Sequence, residues 1–245
     1  IVSINGGNFQ VENSKLLNNL KGIIVQAHQG QHAGAIRGST IAMPGTFLPA
    51  IPALPWWQTK TLVGIEIESN AAITIGDASQ PSYSNTFRHM FNAIWSKQSN
   101  TTVVNAKIAR LSNHLNATNS GEGIVSEGGK QVSNPPYFYQ LTVGGFGLNE
   151  AVTTDSTRIG IETRFTQRVY IYKNTIRNTR FYGIFIRANN AGTVQILNNG
   201  ISNQTGYGFA MNTGIVVLDC YRAVVDISNN NLNQQNASLA TQIGT

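Results

Sequence analysis

The sequence predicts an all-β chain wound as a single-stranded right-handed parallel β-helix, a solenoid of about seven or eight coils. Two repeated patterns carry that expectation. The first, V-x-I-x-x-N-x-I, spans residues 169–176 and returns 25 residues later at 194–201; a third copy, closed by Leu, follows 31 residues after that at 225–232. The second sets a glycine before alternating apolar residues: GIIV from Gly22, GIEI from Gly64, GIFI from Gly183 and GIVV from Gly214, with shorter forms from Gly123 and Gly160. Alternation with period two makes each half a strand rather than a helix. Strands this short are not stable alone, and at a spacing of about 30 residues they read as coils that bury a core by stacking. The handedness of parallel crossovers sets the right hand.

Taken in order, the halves pair as VSINGGNF with GIIV, ITIGD and NTF with NAIW, VVNAKI with GIV, and LTVGGF with GIET, ahead of the clear copies. Asn174, Asn199 and Asn230 share one repeat position, at a bend. Asparagine tolerates left-handed backbone there, and its amide can bond the coils above and below as a ladder. Residues 27–60 break the pattern. Pro44, Pro49, Pro52 and Pro55 remove backbone donors, which predicts a long Pro-rich insertion loop leaving a domain that otherwise spans 1–245. A shorter interruption covers 126–140, where Tyr137, Phe138 and Tyr139 are expected to return to the coil by packing.

These repeats resemble those of the pectin-lyase-like superfamily of right-handed parallel β-helices. Units such as NTF…GI and LTVGG look in particular like those of large bacterial surface proteins exported by the type IX route. The resemblance implies a secreted protein at the bacterial cell surface or outside the cell, and specifies fold far better than function, because one fold hosts lyases, hydrolases, epimerases and inert stalks. The Asp-pair and His-Gly signatures of polygalacturonase-like members are absent, as is the Arg-x-Pro-x-x-Arg signature of pectate lyases. Each absence counts against transferring those activities.

Composition points the same way. Only 11% of residues are charged, so the polar surface is built from Asn, Gln, Ser and Thr, which suits an extracellular setting. Cys220 is the single cysteine; no internal disulfide can form, and a small buried hydrophobe is its expected role. No run approaches the roughly 18 apolar residues of a membrane span. The opening IVSINGG has neither an initiator Met nor a signal-peptide pattern, so the chain reads as part of a larger polypeptide.

The charge is concentrated. Arg158, Arg164, Arg168, Lys173, Arg177, Arg180 and Arg187 lie within 30 residues that hold one acid, Glu162, a local balance equal to the +6 of the whole chain. Arg164 and Arg187 each stand four residues after the glycine of a half-repeat, which places them in register about 4.8 Å apart. Stacked guanidiniums repel unless an anion lies between them, and their forks match carboxylates. The pair, with Arg168 and Lys173, therefore forms a candidate strip for an anionic polysaccharide; the competing reading is a set of scattered solubilising charges. Nucleic acid is not expected, since aromatic residues are not interleaved with the cations as single-strand binders require.

Trp56 and Trp57 are candidate stacking faces for a sugar ring, although packing onto the coil is the commoner use of large aromatics. His28 and His32 have metal-ligand spacing only on a helix, and their Gly-rich setting predicts none; neither a metal nor a cofactor is expected. Glu66 and Glu68 share a strand face about 6.6 Å apart, and a solvated face is the expectation. The reading is thus a structural or adhesive module that binds an anionic polysaccharide. Its alternative is a polysaccharide lyase or epimerase acting on uronates, with Arg164, Lys173 or Arg187 as base.

Overall fold

Isoleucine stands on isoleucine through seven consecutive coils. Ile23, Ile65, Ile94, Ile124, Ile161, Ile184 and Ile215 are register partners in one parallel sheet, and every one is fully buried. The protein is seen here as a computed structural model that describes residues 1–4, 7–26, 32–43, 61–69, 71–109, 111, 121–129, 139–189, 192–203, 213–234 and 241–243.

The described strands form a right-handed parallel β-helix of about eight coils. Each coil gives one strand to each of three parallel sheets. The first sheet stacks Val2–Ile4, Lys21–Gln26, Thr61–Glu68, Met90–Lys97, Glu122–Glu127, Ile159–Arg164, Tyr182–Arg187, Thr213–Leu218 and Thr241–Ile243. The second stacks Gly7–Glu12, His32–Arg37, Ala71–Ile75, Asn100–Val103, Gln140–Gly144, Arg168–Tyr172, Thr193–Leu197 and Val224–Ser228. The third, of shorter strands, stacks Lys15–Leu17, Thr40–Ala42, Asn85–Arg88, Ala106–Ala109, Val152–Asp155, Thr175–Arg177, Gly200–Asn203 and Asn231–Gln234.

Each sheet turns one face inward, and β-branched side chains fill the column because they pack well on a pleated surface. Ile36, Ile75, Val103, Val143, Ile171 and Ile196 line the second sheet. The glycine of the GI half-repeat lies within the first-sheet strand, against side chains of the third sheet. A Cβ at Gly22, Gly64, Gly123, Gly160 or Gly183 would come within 2.4–2.6 Å of a carbonyl oxygen in the next coil. The closeness of the stacking therefore favours glycine, and among the described coils the fourth departs, with Ala93.

The expected insertion over 27–60 is too long. His32–Arg37 and Thr40–Ala42 are strands of the second coil, paired on both sides; residues 44–60 lie outside the described part. The pattern hid these strands because Gly34 sits where an apolar residue is expected. The Phe9 ring of the coil below already fills that space, and a Cβ on Gly34 would meet it at 2.3 Å.

The asparagine ladder forms, but the left-handed residue is the one before it. Lys173, Asn198 and Asn229 have φ of 50°, 58° and 56°. These turn the chain from the second sheet into the third, so that Asn174, Asn199 and Asn230 project along the stack. Asn174 Nδ2 donates to Val143 O at 2.9 Å and to Asn199 Oδ1 at 3.0 Å; Asn199 Nδ2 donates to Ile171 O and Asn230 Oδ1. The amides thereby satisfy backbone groups buried at the corner.

Candidate functional site

Alternation along each strand of the first sheet sends every second side chain outward. The outward position nearest the strand ends carries, coil by coil, Gln26, Glu68, Lys97, Glu127, Arg164, Arg187 and Leu218, each a register partner of the next. Two residues earlier the column reads Ile24, Glu66, Trp95, Val125, Glu162, Phe185 and Val216. The two columns form a ladder of opposite charges with aromatic rings between them.

Its lower half is built on Glu66. That carboxylate is only 3% exposed, against the expectation of a solvated face. Lys97 Nζ bridges Glu66 Oε1 at 2.9 Å and Glu68 Oε1 at 3.0 Å and lies 4.0 Å from the Trp95 ring centre. Lys21 pairs with Glu66 Oε2 through charge alone, without hydrogen-bond geometry. Hydrogen bonding from Lys97 outweighs burial and lowers the Glu68 pKa. Burial opposes the charge on Lys97, yet the two carboxylates hold its pKa above the ordinary value.

The upper half holds the predicted arginine pair. Arg164 and Arg187 are register partners, as expected. Arg164 is not free, however: Nε donates to Glu162 Oε1 at 2.7 Å and Nη1 reaches Glu127 Oε1 at 3.1 Å. Glu162 is 2% exposed, and its Oε2 has no hydrogen-bond partner among the described residues. Arg158 pairs with Glu122 at 3.3 Å. Burial, followed by the charge of Glu162, pushes the Glu122 carboxyl above its ordinary pKa. Arg187 is exposed and has no carboxylate partner among the described residues.

The run of cations does not form one patch. Winding spreads it around the coil: Arg168 starts a strand of the second sheet, Lys173 follows its end, Arg177 lies on the third sheet beside Asp155, and Arg158 and Arg180 flank Phe181 at the next bend. Arg168 and Lys173 thus lie on a different sheet from Arg164 and Arg187. Glu122 and Glu127, missed by a count along the sequence, come from the coil below. The signal was present, because Glu127 stands four residues after Gly123 just as Arg164 does after Gly160.

Trp56, Trp57 and His28 lie outside the described residues, and His32 begins a strand of the second sheet. Among the described residues no group of three or more His, Cys, Asp or Glu side chains could hold a metal ion, and no helix is long and apolar enough to cross a membrane. Comparison with models of protein families, with curated proteins and with solved structures returns no match.

Proposed function

We propose that the chain is a structural or adhesive β-helix module of a secreted bacterial surface protein that holds an acidic polysaccharide without cleaving it. The surface assignment rests on the resemblance of the repeats. The observation that supports the binding reading is Arg187, without a carboxylate partner among the described residues, stacked on Arg164 at the end of the first-sheet ladder. A carboxylate laid over the pair takes one full charge-assisted contact from Arg187 and shares the exposed part of the Arg164 fork. The lower coils, already balanced by their own acids, add little attraction for an anion.

The same geometry argues against a lyase that uses Arg164 as base. A base must give up its proton, and Glu162 and Glu127 hold the Arg164 guanidinium more firmly charged than an ordinary arginine. Retention on an immobilised polyuronate tests the binding reading. Arg187→Ser is expected to reduce retention about tenfold at low salt, one charge-assisted contact being lost; unchanged retention sinks it.

A further inference from the structure

The outer face of the second sheet carries an aromatic ridge that the charge ladder does not use. Tyr170 and Tyr172 point outward from strand Arg168–Tyr172, with ring centres 6.1 Å apart. Phe146, from the bend after Gln140–Gly144, lies 4.9 Å from the Tyr172 ring. Both tyrosines are half-buried, while Phe146 is 52% and its neighbour Leu148 85% exposed. Lys173 Nζ donates to Phe146 O and sits 5.3 Å from that ring centre, which fixes the ridge at one end. At the other side the Tyr172 hydroxyl donates to Gln195 Oε1. Burial, then Tyr170 and Asp226, raise the Tyr172 pKa, keeping it a neutral donor.

We infer that this ridge is a stacking platform for an uncharged pyranose polysaccharide. The rings offer flat faces to the C–H patches of sugars. Around them stand groups that can exchange hydrogen bonds with sugar hydroxyls: the Tyr170 hydroxyl and Gln195 Nε2, neither with a protein partner among the described residues, and the exposed carboxylate of Asp226, two coils up from Tyr170. Lys173, at Phe146, and Arg168, at the start of the tyrosine strand, bring positive charge; Asp226, in register with Gln195, and Glu150, which accepts from the N–H of Gly147 beside Phe146, bring negative. That balance favours a neutral chain over a polyanion, in contrast to the Arg187 end of the first sheet.

A folded protein partner fits less well. A full aromatic side chain buries about 150–250 Å², and these rings are already partly covered, so the ridge falls short of the roughly 800 Å² per partner of a stable protein interface. Both tyrosines are held by neighbours, so little side-chain freedom is lost on binding.

The inference shares the glycan-binding reading but uses a separate face, so the two can fail independently. Retention is measured on immobilised β-glucan, mannan and galactan, with polygalacturonate as the charged reference. The wild type is expected to be retarded on at least one uncharged polymer regardless of salt, and Arg187→Ser equally so. The double variant Tyr170→Ser/Tyr172→Ser, checked for a native far-UV spectrum and melting temperature, loses about tenfold, the scale of two ring contacts. The corresponding double Phe variant keeps the rings and most of the retention. No retention on any uncharged polymer, or equal retention by the Ser variant, overturns the platform whatever polygalacturonate does. A wild-type dimer in sedimentation that the Ser variant abolishes also overturns it, in favour of a protein partner.

Discussion

Asn199 stands directly on Asn174, and its Oδ1 accepts from both the backbone N–H and the side-chain amide of Asn174, at 2.9 and 3.0 Å. Asn199 is buried and also donates to Ile171 O and Leu197 O. Replacing it with Ala strands buried donors and acceptors in two coils at once. Asn199→Ala is expected to cost about 3 kcal/mol in urea unfolding, while Ala at the exposed Asn231 changes stability by less than about 0.5 kcal/mol.

Glycine has two roles here, with opposite outcomes on substitution. At Gly160 a Cβ would meet Gly183 O at 2.6 Å and the Ile176 side chain at 2.8 Å; Gly160→Ala is expected to destabilise by about 1–3 kcal/mol. At Gly200 the nearest atom lies 4.0 Å away, so Gly200→Ala should stabilise by about 0.5 kcal/mol by restricting the unfolded chain. Thermal melts of the pair check both signs.

Lys97 holds two carboxylates, one of them buried. Lys97→Met leaves Glu66 with Lys21 as its one cation among the described residues and is expected to cost about 2–3 kcal/mol at neutral pH, less than a fully buried pair because Lys97 is partly solvated. The folded-state pKa of Glu68 is depressed, so its contribution is present above its ordinary value of 4.5 and is lost as pH falls through the folded value. The penalty of Lys97→Met should therefore shrink on acidification, as read from urea midpoints across that range.

Glu122 behaves in the opposite way. Its folded-state pKa is raised, so the folded form binds a proton more tightly than the unfolded one. Its contribution is full below 4.5 and is lost as pH rises through the folded value. Glu122→Gln should gain stability relative to the wild type as pH rises through that window, with the difference flat below it; a difference independent of pH would contradict the assignment.

The coil architecture was legible because Ile161, Ile184 and their partners repeat with an unbroken inward alternation, and because Gly160 and Gly183 are forced by backbone contact. The second-coil strands were not, since Gly34 yields its volume to Phe9 and so erases the apolar signal. Arg164 and Arg187 do stack in register, but Arg168 and Lys173 do not join them, and the acids facing Arg164 were missed for a different reason. A window along the sequence samples about one turn of the solenoid, whereas the partners of Arg164 include Glu127, one coil below. Reading down the repeat position, rather than along the chain, would have found that pair. Tyr170 and Tyr172 stand at the outward positions of the V-x-I repeat and so were legible one by one, but the contact of Tyr172 with Phe146 was not, because Phe146 comes from a bend in the coil below.

The central claim is that Arg187, stacked on Arg164, holds an acidic polymer that the protein does not cut. Native affinity electrophoresis through a gel containing polygalacturonate, followed by sizing of the recovered polymer, tests it most directly. The account predicts that the wild type and the charge-matched control Arg88→Ser, from the third sheet, are retarded at low salt and released at high salt. It further predicts that Arg187→Ser runs ahead of both and that the polymer keeps its length. Equal retardation of Arg187→Ser and Arg88→Ser, or a shortened polymer with unsaturated ends, would contradict it.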